Sequence, residues 1–287
     1  MPIERTAARS IGSKTFLALA IGLAVAGATS LLRWSAPKAR RVLHVDGEMT
    51  LIDLQRRVAA LKAGMGADIR NDHFRLLAAD HTDVPDLGTE GGQQALDPLL
   101  DGVDLLIVDN ISTLGWAGSD NSAGSWTSMQ EWILRLRKRG LAVLLVHHSG
   151  KSGEQRGTSR REDVLDTVIG LRRPEDYEPQ QGARFEVHVE KSRAHFGDAG
   201  RPFEASLVSM PDGRGLTWSA RDLNPNHLEE AAALFRSGVT VRAAAAHLGI
   251  ARSSAGRLRQ KAHEDGLLDS DGESEADGGE DESGTLH

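Results

Sequence analysis

The sequence predicts an α/β fold, a mostly parallel sheet with helices on both faces, followed by a small all-α module. Three observations carry this. Short apolar runs with strand character (RVLHVDGE at 41–48, LLIVDNIS at 105–112, LAVLLVHHS at 141–149) alternate with stretches of helical periodicity. The first two end in Asp or Glu and the third in a His pair, which suits the carboxyl edge of a parallel sheet, where ligands sit in open α/β folds. A Gly-centred pair of short helical patterns then follows near the C-terminus.

In chain order, residues 15–32 read as a helix, and 37–40 turn into the strand at Arg41. Thr50 caps a helix to about Ala63, with Leu51, Leu54, Val58 and Leu61 at spacings of three and four. Phe74–Leu77 is a short strand, 88–92 a loop, and 93–100 a helical turn before the strand at Leu105. The Gly/Ser/Asn loop 115–124 leads to a helix at 125–139, closed by Gly140. Strands are expected at 141, 164–171, 185–193 (FEVHVEKSR) and 203–208, with a polar loop at 150–161. The division expected is 1–210 for the α/β domain, 211–226 for a linker, 227–268 for the helical module and 269–287 for an acidic tail.

The chain has 287 residues, 39% apolar and 26% charged, and no cysteine. Disulfides, cysteine-based zinc sites and thiol catalysis are therefore excluded, as suits a reducing compartment. The net charge of −7 is misleading: of 41 acidic residues eight lie from Asp269 onward, leaving 33 against 34 Lys and Arg, or +1. The tail is a solvated acidic run that either aids solubility or competes with nucleic acid for basic surface. The apolar run 16–32 invites a signal peptide or membrane anchor, but it is short, rich in Ala and Gly, and follows Lys14-Thr15. It is read as the buried helix behind a phosphate loop in a cytoplasmic protein, with no membrane partner.

Asp109, ending a buried strand, can hold the water shell of Mg²⁺, or it can simply form a turn. Glu48 can polarise a water, or serve the start of the helix that Thr50 caps. Of His147 and His148, adjacent on a strand, one can face a phosphate while the other packs. The Gly-rich basic loop carrying Lys151 and Arg156 suits a phosphate backbone. Lys191 and Arg193 end a strand, where cations can reach a phosphate or pair on the surface.

Together these stretches resemble the RecA-like ATPases of the RepA type, the hexameric plasmid helicases and their mobile-element relatives. The likeness runs from residue 8 to about 210 and rests on VLHVDGEM, LLIVDNIS, VLLVHHSGKSGEQRGTSRREDVLDTVIGLRRP and VHVEKSRAHFG. It implies ATP with Mg²⁺ bound between subunits of a homo-oligomeric, hexameric ring, and turnover coupled to DNA in plasmid or mobile-element replication. By the same resemblance Glu48 is the catalytic base, Asp109 the Mg²⁺-holding acid, and His148 or His147 the γ-phosphate sensor. Lys191 and Arg193 form the finger pair acting on a neighbour's site, and the Arg156 loop touches DNA.

The chain departs from the pattern at the phosphate loop, which should read G-x-x-x-x-G-K-[ST]. Here Ala8 to Thr15 reads ARSIGSKT. Lys14 and Thr15 stand before a helix, Thr15 as the second Mg²⁺ group, but both framework glycines are missing in that register. Gly12 serves only if the loop is one residue longer, and the Cβ of Ser13 would crowd a β-phosphate. No strand is legible ahead of the loop, so the N-terminal part of the domain reads as incomplete, and weakened nucleotide binding is expected. The rival reading is a non-catalytic DNA-binding regulator that keeps a degenerate ATPase core as an oligomerisation scaffold.

In the C-terminal segment TVRAAAAHLGIARSSAGRLRQ (240–260), Thr240 caps one helix, Gly249 turns the chain and Ser253 opens a second. This resembles the helix-turn-helix of bacterial regulators. The second helix would offer Arg252, Ser253, Ser254, Arg257 and Gln260 to DNA, with Arg257 and Gln260 reading bases and the serines meeting phosphates. Residues 227–268 are only mildly basic, six Lys/Arg against four Asp/Glu, which also suits a protein-interaction module.

Overall fold

Every position of Val42–Asp46 and Leu105–Asp109 is buried, which leaves neither strand a solvent face, so both are central strands. A computed structural model gives the fold and describes residues 12–115, 123–147, 164–174, 176–193, 200–223, 227–248, 250 and 252–268. The chain divides into two compact units, ending and starting at Leu223 and Asn224.

In the first unit, α1 (Gly12–Gly27) leads to a hairpin of β1 (Ser30–Leu31) and β2 (Trp34–Ser35). There follow β3 (Val42–Asp46), α2 (Leu51–Met65), β4 (Phe74–Ala78), α3 (Glu90–Leu96), β5 (Leu105–Asp109), α4 (Ile111–Leu114), α5 (Ala123–Lys138) and β6 (Ala142–Val146). These strands form a parallel four-stranded sheet in the order β4-β3-β5-β6. The α/β class with a parallel sheet flanked by helices is thus observed.

Alternation sorts the side chains of β3 and β5 onto two faces. Val42, Leu105 and Ile107 join the core containing Leu17, Leu19 and Leu23 of α1 and Leu54 and Leu61 of α2. Leu43, Val45, Leu106 and Val108 join the opposite core, with Leu96, Met129, Trp132 and Leu136. The apolar run near the N-terminus is therefore core: Leu19, Ala20 and Leu23 are wholly buried. Among the described residues no helix is long and apolar enough to cross a membrane. The helix also starts three residues earlier and ends five residues earlier than the sequence suggests, because the chain turns at Ala28 into the hairpin.

The sequence expectation needs two corrections. The strand at 185–193 does not belong to the parallel sheet. It is β8 (Arg184–Ser192) in a second, antiparallel sheet ordered β10-β9-β8-β7, with β7 (Thr167–Arg172), β9 (Phe203–Ser209) and β10 (Leu216–Asp222). Its alternation of apolar and polar residues, unlike the apolar run of β5, is the sign of a half-exposed antiparallel strand. The segment 211–226, expected as a linker, contains β10, which pairs with β9 over seven residues after a turn through Gly213.

α2 Thr50 is the N-cap foreseen, its side chain accepting from the Asp53 amide, and Gly66 closes the helix at φ 59°. The second unit holds α6 (His227–Arg236), α7 (Val241–Leu248) and α8 (Arg252–Glu264), closed on small residues: Ala231, Ala232, Ala244, Ala255 and Ala262 are buried. Thr240 accepts from the Ala243 amide at the start of α7, as expected of its cap.

Candidate nucleotide site

The carboxyl ends of β3 and β5 lie side by side, with Asp46 registered against Asp109. Both carboxylates are buried, 1% and 2% exposed. They share the sheet face that packs on α1 and α2, since each lies an even number of residues from Val42 or Ile107. The Asp46 Oδ1 accepts the Glu48 and Met49 amides at 2.8 and 2.7 Å and folds the turn that carries Glu48. Gly47 in that turn has no room for a Cβ, which would stand 2.4 Å from Thr113 Oγ1.

Glu48 is held from β5. The Asn110 Nδ2 donates to its Oε1 at 2.6 Å, and Asn110 Oδ1 accepts the Thr113 amide at 3.2 Å. The second contact fixes which end of the amide faces Glu48. Helix capping near Glu48 is performed by Thr50 rather than by Glu48 itself.

Lys14 and Thr15 lie in the first turn of α1, whose open amides favour an anion and whose first turn has no acidic residue. Thr15 is buried at 5% exposure. The Lys14 Nζ donates to the His147 carbonyl at the end of β6, at 2.6 Å. Burial pulls the Lys14 ammonium below its ordinary range, and the charge of Asp109 pulls part of the way back. Lys14, the Asp109 carboxylate and the end of β6 therefore lie together. Ser13 is a helical residue here, half-buried beside Lys14.

Lys14 also lines a cavity of about 1120 Å³ between β6 and β7. Successive residues Ala142–Val146 and Thr167–Arg172 line it. Neighbouring strand residues point to opposite faces, so the cavity meets two strand edges rather than a sheet face. Leu17, Ile21 and Val25 of α1 also line it.

Three groups at this site escape sequence reasoning. Arg57 is half-buried on α2, its guanidinium carbon 4.4 Å from the Phe16 ring centroid. Burial lowers its pKa, with Asp46, Asp53 and Asp109 opposing. In the sequence it is an ordinary helical cation, three residues after Leu54 and four before Leu61. Asn110 is a wholly buried neighbour of Asp109, and His44 looks like a strand filler. Only the pairing of β3 with β5 reveals either role.

The remaining predicted residues are placed as follows. Lys191 and Arg193 sit at the end of β8 on the antiparallel sheet, not at the carboxyl edge of the parallel one. Lys191 registers against Val168, and Arg193 donates its amide to the Asp166 carbonyl at 2.8 Å and its guanidinium to the Asp166 carboxylate at 3.5 Å. His148, Lys151 and Arg156 lie outside the described residues. On α8, Arg252, Ser253, Arg257 and Gln260 are exposed and Ser254 is half-buried. Arg257 donates to the Ser254 hydroxyl at 3.3 Å, and Gln260 to Glu264 at 3.1 Å.

A family model described as an AAA domain matches residues 5–154. Among solved structures, the RadB recombinase aligns with a TM-score of 0.45 and 17% identity, over 75% of this chain and 87% of that one. The KaiC-like protein PH0186 from the hyperthermophilic archaeon Pyrococcus horikoshii OT3 aligns at 0.44 and 14%, over 63% and 76%. No curated protein matches the sequence significantly.

Proposed function

The chain belongs to the AAA domain family, and from that premise we propose that it is an ATP hydrolase of the RepA-like, hexameric helicase kind, acting on DNA in plasmid or mobile-element replication. The observation that carries the reading is the convergence of Lys14, Asp109 and the Asn110-held Glu48 at one end of the parallel sheet. Phosphoryl transfer asks for little more than placed cations, a placed water and an acid for the metal.

In this reading Gly12, Ser13, Lys14 and Thr15 receive the phosphates through the amides of the first turn of α1. The Thr15 hydroxyl and Asp109 would hold Mg²⁺, which, when bound, neutralises phosphate charge. Buried oxygen donors of this kind fit such an ion. Glu48 takes the proton of the attacking water, and Asn110 orients its carboxylate. One of the three Lys14 N–H donors holds the His147 carbonyl, and a phosphate would take the others. His148 or His147 senses the γ-phosphate at the end of β6. Lys191 and Arg193 serve a neighbouring copy in a cytoplasmic ring, and Lys151 and Arg156 touch DNA. α6 to α8 act as a helix-turn-helix with α8 in the major groove. Arg257→Ala is expected to weaken binding to duplex DNA by about tenfold, measured by fluorescence anisotropy at fixed salt. An unchanged affinity would make the module a protein-interaction domain.

The phosphate loop favours a second reading, a non-catalytic DNA-binding regulator built on an ATPase scaffold. Ser13 stands where a glycine lets backbone amides close on phosphate, and the Lys14 ammonium already donates to a backbone carbonyl. Titration of this chain and of Ser13→Gly with a fluorescent ATP analogue, with phosphate release alongside, separates the two. The enzyme reading expects measurable binding that tightens about tenfold or more in Ser13→Gly. Absence of binding and turnover in both chains would leave the scaffold reading standing.

A further inference from the structure

The least explained group in the core is His44. It is wholly buried, and neither ring nitrogen has a hydrogen-bond partner. A neutral imidazole left this way pays for a stranded donor and a stranded acceptor, each on the order of 1–3 kcal/mol. Its Nε2 lies 3.8 Å from Asp46 Oδ2 and 4.0 Å from Asp109 Oδ2. Those separations exceed the ~2.7–3.2 Å of a hydrogen bond. They lie close to those of donors sharing one ion: ligands ~2.0–2.2 Å from a metal stand about 3.3–3.8 Å apart for angles from tetrahedral to about 120°, so the three side chains need close by only a few tenths of an ångström.

The placement follows from the topology. His44 and Asp46, two residues apart on β3, share a face, and the parallel register sets Asp109 beside Asp46. One ligand atom from each of the three falls within 4.8 Å of the others. Asp46 spends Oδ1 on its turn, which leaves Oδ2 directed at His44.

We infer that His44, Asp46 and Asp109 bind a first-row divalent transition ion, of the class from Mn²⁺ to Zn²⁺. The imidazole donor sets the class, since Mg²⁺ and Ca²⁺ prefer all-oxygen shells. Lys14 and Arg57 already offset the two carboxylates from the flanks. The ion is therefore exchangeable rather than required for folding. The site adjoins the candidate nucleotide site and shares Asp109 with it, but it does not depend on nucleotide being bound.

The test uses the full chain, stripped with chelator and free of nucleotide, so that a failed ATPase reading cannot decide it. Co²⁺ is titrated while visible d–d bands and bound equivalents are measured, with Zn²⁺ as competitor. His44→Phe, which fills the same apolar surroundings beside Phe74, and His44→Asn are run in parallel, with melting followed in chelator to check the fold. The expected result is one high-affinity equivalent in the native chain, displaced by Zn²⁺ but not by about a hundredfold excess of Mg²⁺, and missing in both variants. It should raise the native Tm by a few degrees and leave the variants' Tm unmoved. Equal stoichiometry in all three chains, no binding at millimolar Co²⁺, or displacement by Mg²⁺ would overturn the inference.

Discussion

Glu48→Gln is expected to lower ATP turnover at least a hundredfold, on the order of what a general base contributes, while nucleotide affinity stays within about threefold. The geometry behind this is narrow. Glu48 stands just past β3, and its carboxylate is clasped by the Asn110 amide at 2.6 Å, itself oriented by the Thr113 amide. Glutamine keeps the shape and removes the basic oxygen. Asn110→Ala is expected to cost about tenfold with Glu48 intact, because the base loses its orientation rather than its chemistry. Phosphate release and fluorescent-analogue binding, both run in the Ser13→Gly background, give the two readouts. Turnover that survives Glu48→Gln would reduce the Glu48–Asn110 pair to a structural strut.

Gly64→Ala is expected to be strongly destabilising to the first unit. A Cβ at Gly64 would stand 1.9 Å from the Leu216 carbonyl oxygen and 2.5 Å from its carbon. Both are backbone atoms of β10, so no side-chain rotation relieves the clash. α2 and β10 must separate, or the helix must shift and disturb Leu54 and Leu61, both wholly buried. Overpacking of this kind costs about 3 kcal/mol, which is a fall in Tm of roughly 6–12 °C for a unit of this size. Gly91→Ala is the control, because a Cβ there meets nothing within 4 Å. Thermal melts of the two variants make the comparison, and equal Tm values would mean that α2 is not seated on β10 as described.

Much of the candidate site is legible in the sequence because its residues end strands. Asp109 follows four apolar residues, Lys14 precedes an apolar helix, and Glu48 precedes a capped one. Each is fixed by a local pattern with a local cause. Arg57, His44 and Asn110 are not legible, because nothing near them in sequence marks them. Arg57 sits on a helix where Arg is ordinary, and only the fold sets it over Phe16 and near Asp46 and Asp109. His44 gains meaning only from Asp109, 65 positions away, through strand pairing. The same limit explains β8: its Lys-x-Arg ending reads like the other strand ends, while its alternating pattern points to a half-exposed antiparallel strand.

By itself the sequence determined the α/β class, the alternation of β3 to β6 with helices, the buried fate of the N-terminal apolar run, and the residue types at the strand ends. These follow from periodicity and chain connectivity, which act over a few residues. Only the tertiary structure decided which strands are neighbours, that β7 to β10 form their own antiparallel sheet, and that two aspartates and a histidine share one buried point. Those are matters of register between segments far apart in the chain, and register is set by which faces can be buried together, not by any segment alone.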